Sequence, residues 1–412
     1  MRPVDDALRS ADYDVVIVGA GMVGISLALM LAQQAAGWRI LLLEARCAAA
    51  SDSDGHFDAR STALSSSTQR IFQNLDLWQQ VQRHTSAIQC IHVSDRGYPG
   101  ITRITAADAD VEALGYVVEN DPLNELLERQ LACVNIAIRR SSQVSVINVR
   151  AGGVELGLTD VGHSLSSKLL IVADGTNSKT ALKLGFYTDN HDHKQAAIVA
   201  NIGLDKAHNG VAYERFTALG PIALLPLTAY RGRPRAALVW SQPSDGAATT
   251  MALEDTQFLS TLQSQFGYRL GIFRKIGARA SFPLITSLAD EQVRRGIALL
   301  GNAAHSLHPV AGQGFNLALR DASSLAAIIG RARAAGLDFA STEVLDQYRQ
   351  AQSADQRRVV ALTRGLPAIF ASRSPVAIAG RNAALLSMDV MRPLRHRFAD
   401  FGMGHLGGHP DS

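Results

Sequence analysis

The sequence predicts an α/β fold: a nucleotide-binding domain assembled from segments far apart in the chain, an inserted β-rich domain and a helical C-terminal region. Three observations carry this expectation. Residues 15–44 read as a complete βαβ unit, and residues 196–285 hold the clearest run of strands. A further buried strand, leading into a glycine-rich turn and a helix, comes only at 297–334. A strand-rich block between two nucleotide-type segments is most simply an insertion. The expected division is 1–75, 100–180 and 277–345 for the nucleotide-binding domain, 76–99 and 181–276 for the β-rich domain, and 346–412 for the helical region.

Val15-Val16-Ile17-Val18 is a short β-branched run of the kind that forms buried parallel strands. Gly19 to Gly24 is the turn, Ile25 to Gln34 a helix rich in Leu and Ala, and Arg39 to Leu43 the second strand, ending at Glu44. Residues 60–135 read as mostly helical, with Leu126, Leu127 and Leu131 as the strongest periodic stripe. Strands follow at Val144–Ile147 and Leu169–Ala173, the latter running into Asp174-Gly175. Within the β-rich block, Ala196–Ile202, Ile222–Leu227, Ala236–Trp240 and Ala278–Leu284 are separated by Gly and Pro turns, and a helix over Glu254–Phe266 interrupts them. Ile297–Leu300 is the late strand, a helix runs from about Gly314 to Ala334, and the chain to about His396 reads as mostly helical.

A length of 412 residues fits two or three such units, and 47% hydrophobic residues provide a core while excluding wholesale disorder. A formal charge of +3 is too weak to suggest nucleic-acid binding. Cys47, Cys90 and Cys133 lie far apart and form no metal-ligand or CxxC spacing, so a reducing, cytoplasmic setting is expected and no metal site. The first residues show no basic-then-apolar leader pattern. The uncharged run from Val15 to Trp38 is long enough for a membrane span, but its glycines and glutamines fit a strand, turn and helix instead.

Gly19-Ala20-Gly21-Met22-Val23-Gly24, with Glu44 twenty residues on, carries the first chemical signal. Gly19 permits a tight turn, Gly21 lets a pyrophosphate approach the backbone, and Gly24 lets helix pack on strand. The helix N-terminus offers N–H groups to phosphate, and Glu44 can accept from ribose hydroxyls. This pattern alone does not separate NAD from FAD. At Ala173-Asp174-Gly175-Thr176 a carboxylate at a strand end could hold the loop by accepting N–H groups, or could meet a cofactor. The third stretch, Gly301-Asn302-Ala303-Ala304-His305-Ser306-Leu307-His308-Pro309-Val310-Ala311-Gly312-Gln313-Gly314-Phe315-Asn316, ends a strand in a small polar residue suited to a ribityl hydroxyl. It then enters a helix whose N-terminal dipole suits an anionic reduced flavin.

Together and in this order, the three stretches resemble the flavoprotein aromatic hydroxylases, the class A FAD monooxygenases. The likeness is strongest to the ubiquinone-biosynthesis hydroxylases, through Asp58-Ala59-Arg60-Ser61-Thr62-Ala63-Leu64-Ser65, Gly220-Pro221-Ile222-Ala223-Leu224-Leu225-Pro226-Leu227 and Leu307 to Leu317. It spans roughly residues 12–370. Most relatives carry Asp where this chain has Asn302, which keeps an acceptor oxygen but loses the charge. Gly-Asn-Ala-Ala is most similar to the 2-polyprenyl-6-methoxyphenol hydroxylases.

The resemblance implies a Rossmann-like FAD-binding domain. Gly19, Gly21, Gly24 and Glu44 would hold the ADP half. Arg60 would lie near the flavin or its phosphates, and Asp174 and Gly175 would flank the pyrophosphate. Asn302 would meet the ribityl chain, and Gly312, Gln313, Gly314 and Asn316 the isoalloxazine edge. It further implies reduction by NAD(P)H or another reductant, reaction with O2 to a flavin C4a-hydroperoxide, and hydroxylation of a polyprenyl phenol in ubiquinone biosynthesis. No catalytic side chain is assigned. His305 and His308 are either acid/base groups or hydrogen-bonded loop histidines. Ile222–Leu227 and Phe282-Pro283-Leu284 are candidate pocket walls. Nine arginines against two aspartates between Arg349 and Arg397, interleaved with apolar stretches, suit an anionic membrane, a partner of the quinone-biosynthesis machinery, or simply a solvated helical face. The alternatives are a noncatalytic flavin-binding subunit and a sister hydroxylase acting at another ring position.

Overall fold

A computed structural model describes residues 12–34, 37–47, 57, 60–134, 136–150, 152–160, 164–307, 312–372 and 374–404. A parallel sheet lies at its base. Tyr13–Val18 sits between Leu165–Val172 and Ile40–Leu43, with Ile297–Leu299 and Ala137–Arg139 outside them, all parallel. Side chains alternate across a strand, so one run of apolar residues supplies two cores. Val15, Ile17, Leu42 and Ile171 pack under the helices Met22–Gln34, Asn120–Cys133 and Gln313–Ala334. Val16, Val18, Leu41 and Val172 face the other way, onto Leu156, Leu158 and Phe186. The antiparallel hairpin Val144–Arg150 and Gly153–Leu158 supplies that second cover and joins the sheet at Leu156 opposite Leu165. The run from Val15 to Trp38 is thus a buried strand and a helix packed on it. No helix among the described residues is long and apolar enough to cross a membrane.

A second, nine-stranded sheet is built around the long strand Thr188–Leu204, with Arg233–Pro243 on one side and Ala280–Ala289 on the other. It continues through Ile222–Tyr230 and Val211–Phe216 to Cys90–Asp95 and Ile101–Thr105. The helices Ser244–Met251 and Asp255–Phe266 cover one face, where Ile198, Leu224, Trp240, Phe258 and Phe266 form a core. The other face borders a cavity. A small sheet of Ser61–Leu64, Gly115–Glu119 and Thr85–Ile88 also borders it.

One expectation needs correction. Residues 60–135 are not mostly helical: they hold five strands besides the helices Ser66–Asn74, Trp78–Gln82 and Asn120–Cys133. The reason is local. Ile91-His92-Val93-Ser94, Ile101-Thr102-Arg103-Ile104-Thr105 and Tyr116-Val117-Val118 are rich in β-branched and aromatic residues, which suit pleated pairs. Ile101–Thr105 and Ala280–Ala289 lie outside the parallel sheet. Cross-strand hydrogen bonding puts both in the nine-stranded sheet.

The C-terminal helices Thr342–Ala371, Pro375–Val390 and Arg392–Met403 close the structure over the cavity. They are tied down by buried polar contacts. Arg381 Nε donates to Asp95 Oδ2 at 2.7 Å, and Asn382 Oδ1 accepts from the Gly100 N–H at 2.7 Å. Arg395 donates to Asp108 at 3.1 Å.

Candidate active site

Three turns meet at one end of the cavity. Tyr13–Val18 ends at Gly19, whose φ of +109° and close approach exclude a side chain: a Cβ there would lie 2.3 Å from the Ala173 carbonyl oxygen. Gly24 is required by packing, since its Cβ would lie 2.0 Å from the Gly19 oxygen. Gly21 is different. It lines the cavity, and a Cβ there would meet no protein atom within 4 Å. The space against that backbone is therefore reserved for something other than this chain. Glu44 stands beside the same turn, Oε2 accepting from the Ala20 N–H at 3.1 Å and Oε1 from the Arg46 N–H at 3.0 Å.

Asp174 is exposed, and its Oδ2 accepts from the Thr180 hydroxyl at 2.8 Å, which holds the loop. Gly175 and Asn302 line the cavity; Arg60 is exposed and does not, its guanidinium lying 6.0 Å from the Phe282 ring centre. Gly312, Gln313 and Gly314 line it at the first turn of Gln313–Ala334, where the free N–H groups of a long helix begin. Asn316 was expected at a flavin edge. It borders the cavity, but its amide is fully occupied: Oδ1 accepts from the Ser65 N–H at 2.8 Å and the Thr68 hydroxyl at 2.7 Å, while Nδ2 donates to the Ala63 and Gly312 carbonyls, both at 2.9 Å. Asn316 therefore fixes the corner that presents its neighbours.

His305 lies behind this corner and not in the cavity. Its Nε2 is 2.5 Å from Asp321 Oδ2, both side chains are wholly buried, and Gln356 donates to the same oxygen at 3.0 Å. The structure supports the hydrogen-bonded reading of this residue; His308 lies outside the described residues.

Beyond the turns the cavity continues, to about 760 Å³ in all, between the nine-stranded sheet and the C-terminal helices. Ala223 and Leu225 form part of the wall, as expected for Ile222–Leu227. Phe282 does not: it is exposed on the sheet's far edge. Ile369, Phe370, Leu385, Met388 and Phe398 supply the opposite wall. Sequence reading missed these helical residues and also missed Glu214, the one carboxylic acid among the described lining residues. Burial pushes its carboxyl up from 4.5 to about 7. The signal was present in Ala212-Tyr213-Glu214-Arg215-Phe216, where a charged group shares a strand face with Ala and Phe.

An elongated space with glycine backbone and a helix N-terminus at one end, and aliphatic walls at the other, fits a dinucleotide-type cofactor beside an apolar substrate. Residues 12–363 match the family described as FAD binding domain. The chain is 32% identical to the ubiquinone hydroxylase UbiL of Rhodospirillum rubrum, covering 95% of this chain and 90% of that one. It is 29% identical to the 3-demethoxyubiquinol 3-hydroxylase of Escherichia coli, over 95% and 98% respectively. In fold it is similar to p-nitrophenol 4-monooxygenase PnpA of Pseudomonas putida, with a TM-score of 0.76 at 18% identity, covering 95% of this chain and 98% of that one. The chain belongs to the FAD binding domain family and, within it, to the ubiquinone-biosynthesis hydroxylases, which makes it an FAD-dependent monooxygenase.

Proposed function

We propose that this enzyme hydroxylates a polyprenylated phenol, 2-polyprenyl-6-methoxyphenol, in ubiquinone biosynthesis. The observation that carries the reading is the cavity, which runs from the Gly21 turn and the Gly312–Gly314 corner into an aliphatic chamber. A hydrated or strongly charged substrate would lose its solvation there without compensation, whereas a ring with an isoprenoid tail gains by burial.

Bound FAD supplies the oxygen chemistry, taking electrons from NAD(P)H or another reductant and activating O2 for transfer of one atom to the ring. The chain supplies the rest. Gly21 and Gly175 leave backbone open to the cofactor, and Gly19, Gly24 and Glu44 hold the turn that presents Gly21. Asn302 offers a carbonyl acceptor to the ribityl chain, and the N–H groups at Gln313 and Gly314 favour negative charge on the flavin ring. The walls from Ile369 to Phe398 exclude water, which keeps activated oxygen from escaping as peroxide.

Such a substrate resides in lipid, so the enzyme is placed in the cytoplasm and at the membrane surface or beside other quinone-biosynthesis proteins. Arg349, Arg381 and Arg395 are engaged with Asp346, Asp95 and Asp108, so the basic C-terminal region is only partly free for such contacts. A sister ring position is the second reading, favoured by the name of the Escherichia coli relative. Deleting the gene in its source organism and analysing the quinone lipids tests the proposal. Loss of ubiquinone with accumulated polyprenyl methoxyphenol is expected. Accumulation of a later precursor identifies the sister position, and normal ubiquinone without any precursor overturns both.

A further inference from the structure

Among the described residues, the sheet wall of the cavity carries a charged side chain at one position, Glu214. Pairing register sets Val93, Glu214, Ala223, Val239 and Val199 side by side across five neighbouring strands, and all five border the cavity. Along its own strand, Ala212 and Phe216 point the same way as Glu214. A carboxylic acid thus stands where valine or alanine would pack without penalty. Its carboxyl makes no hydrogen bond or ion pair with any described residue. Glu214 is half-buried and faces the cavity, so a ligand that fills the chamber displaces the water its carboxyl would otherwise meet and must pair with it or leave it unsatisfied.

The neighbouring charges are directed elsewhere. Tyr213 and Arg215 alternate to the other face, where the Tyr213 ring packs 5.4 Å from His92 and 5.6 Å from Phe266. Arg103 lies opposite His92 and shares that far face. Arg381 reaches the cavity from the C-terminal helices, but its guanidinium is bound to Asp95 and to the Ser372 carbonyl, both at 2.7 Å. The cofactor end contributes uncharged polar side chains, Ser61, Thr62, Ser65, Asn302, Ser306, Gln313 and Asn316. Glu214 is therefore, among the described residues, the one acidic group that a molecule in the chamber meets.

We infer that Glu214 is a catalytic residue that binds the ring hydroxyl of the phenol and takes its proton. In this step the phenolic O–H bond breaks and its electron pair stays on oxygen. The proton forms a new O–H bond on the Glu214 carboxylate and leaves to solvent when product is released. No oxidant is consumed in the transfer, and the phenolate left behind is a more electron-rich target for oxygen. A carboxyl raised toward neutrality is matched to this exchange at physiological pH. The inference rests on the substrate being a phenol, as proposed above.

The test uses the full-length, FAD-loaded protein and two probes, 2-geranyl-6-methoxyphenol and its methyl ether. Binding is read from the perturbed flavin absorbance between pH 5.5 and 8.5. The native protein should prefer the phenol by about tenfold, with a transition near neutral pH. Glu214→Leu should bind both probes within about twofold of each other at every pH. Glu214→Gln should keep a preference for the phenol through its amide but show no pH transition. Flavin content, expected to be unchanged, reports that each variant is folded. A Glu214→Leu protein that retains both the preference and the transition overturns the inference, as does a native protein that does not distinguish the probes. Normal ubiquinone in the deletion strain, together with lost preference in Glu214→Leu, would remove the pathway reading and leave the role of Glu214 standing.

Discussion

At the residue scale, the glycine turn separates packing from binding. Gly24→Ala places a methyl group 2.0 Å from a backbone oxygen and should unfold or displace the first helix, lowering the melting temperature sharply. Gly21→Val places its Cβ where no protein atom lies within 4 Å. It should leave the melting temperature of flavin-free protein nearly unchanged while abolishing yellow colour, and a Gly21→Val protein that purifies with the native flavin content would contradict this. Glu214 makes a second prediction. Its carboxyl titrates at about 7 in the folded chain against an ordinary 4.5, so the folded state holds more protons between those values and stability falls as pH rises through them. Glu214→Gln removes that loss. Denaturant unfolding of flavin-free protein should show the variant gaining on the native chain from pH 4.5 to 7, by at most about 3 kcal/mol because cavity water screens the charge. A constant difference across that range would mean that the carboxyl is solvated. Gly19, Gly24 and Glu44 were legible as parts of one turn because their spacing follows from backbone geometry. Asn316 was legible as a position but not as a role: its partners, Ala63, Ser65 and Thr68, lie about 250 residues away in the chain.

At the scale of elements, local pattern found the near-continuous apolar strands and missed short strands of mixed composition. Val15–Val18 and Ile297–Leu299 are near-continuous apolar runs with a glycine after them, and periodicity finds them. Cys90–Asp95 and Ile101–Thr105 set Cys, His, Ser, Arg and Thr among their β-branched residues, which breaks the apolar pattern although the local strand preference is there, and both pair within the nine-stranded sheet. The helix Pro375–Val390 was legible as a helix but not as a wall of the site. What places it is the ion pair of Arg381 with Asp95, whose side chains are 6% and 4% exposed. Removing one partner leaves a buried charge unpaired, at a cost of about 3–5 kcal/mol. Arg381→Met should therefore expose Pro375–Met403 to proteolysis and hydrogen exchange while the parallel sheet stays protected. Uniform loss of protection through the chain would show that these helices do not detach as a unit.

For the whole molecule, the cofactor end and the substrate end of one cavity are built by different layers. The parallel sheet and its glycine turns provide the first, the antiparallel sheet the second, and the C-terminal helices close it. Removing residues 375–412 should leave the flavin turns intact but admit water, so FAD is retained while O2 consumption yields hydrogen peroxide in place of hydroxylated product. The charge pattern read from sequence gains a different meaning here: several arginines between 349 and 397 serve to hold this roof. The central claim is that the closed cavity directs oxygen onto a polyprenyl phenol. A single turnover tests it most directly, because chemical reduction of the flavin replaces the natural electron donor. The reduced enzyme is mixed with 2-polyprenyl-6-methoxyphenol and isotope-labelled O2, and the quenched lipid is examined by mass spectrometry. The expected result is one labelled oxygen on the ring, in a yield approaching the flavin content. Complete flavin reoxidation with labelled peroxide and unchanged phenol would contradict the account.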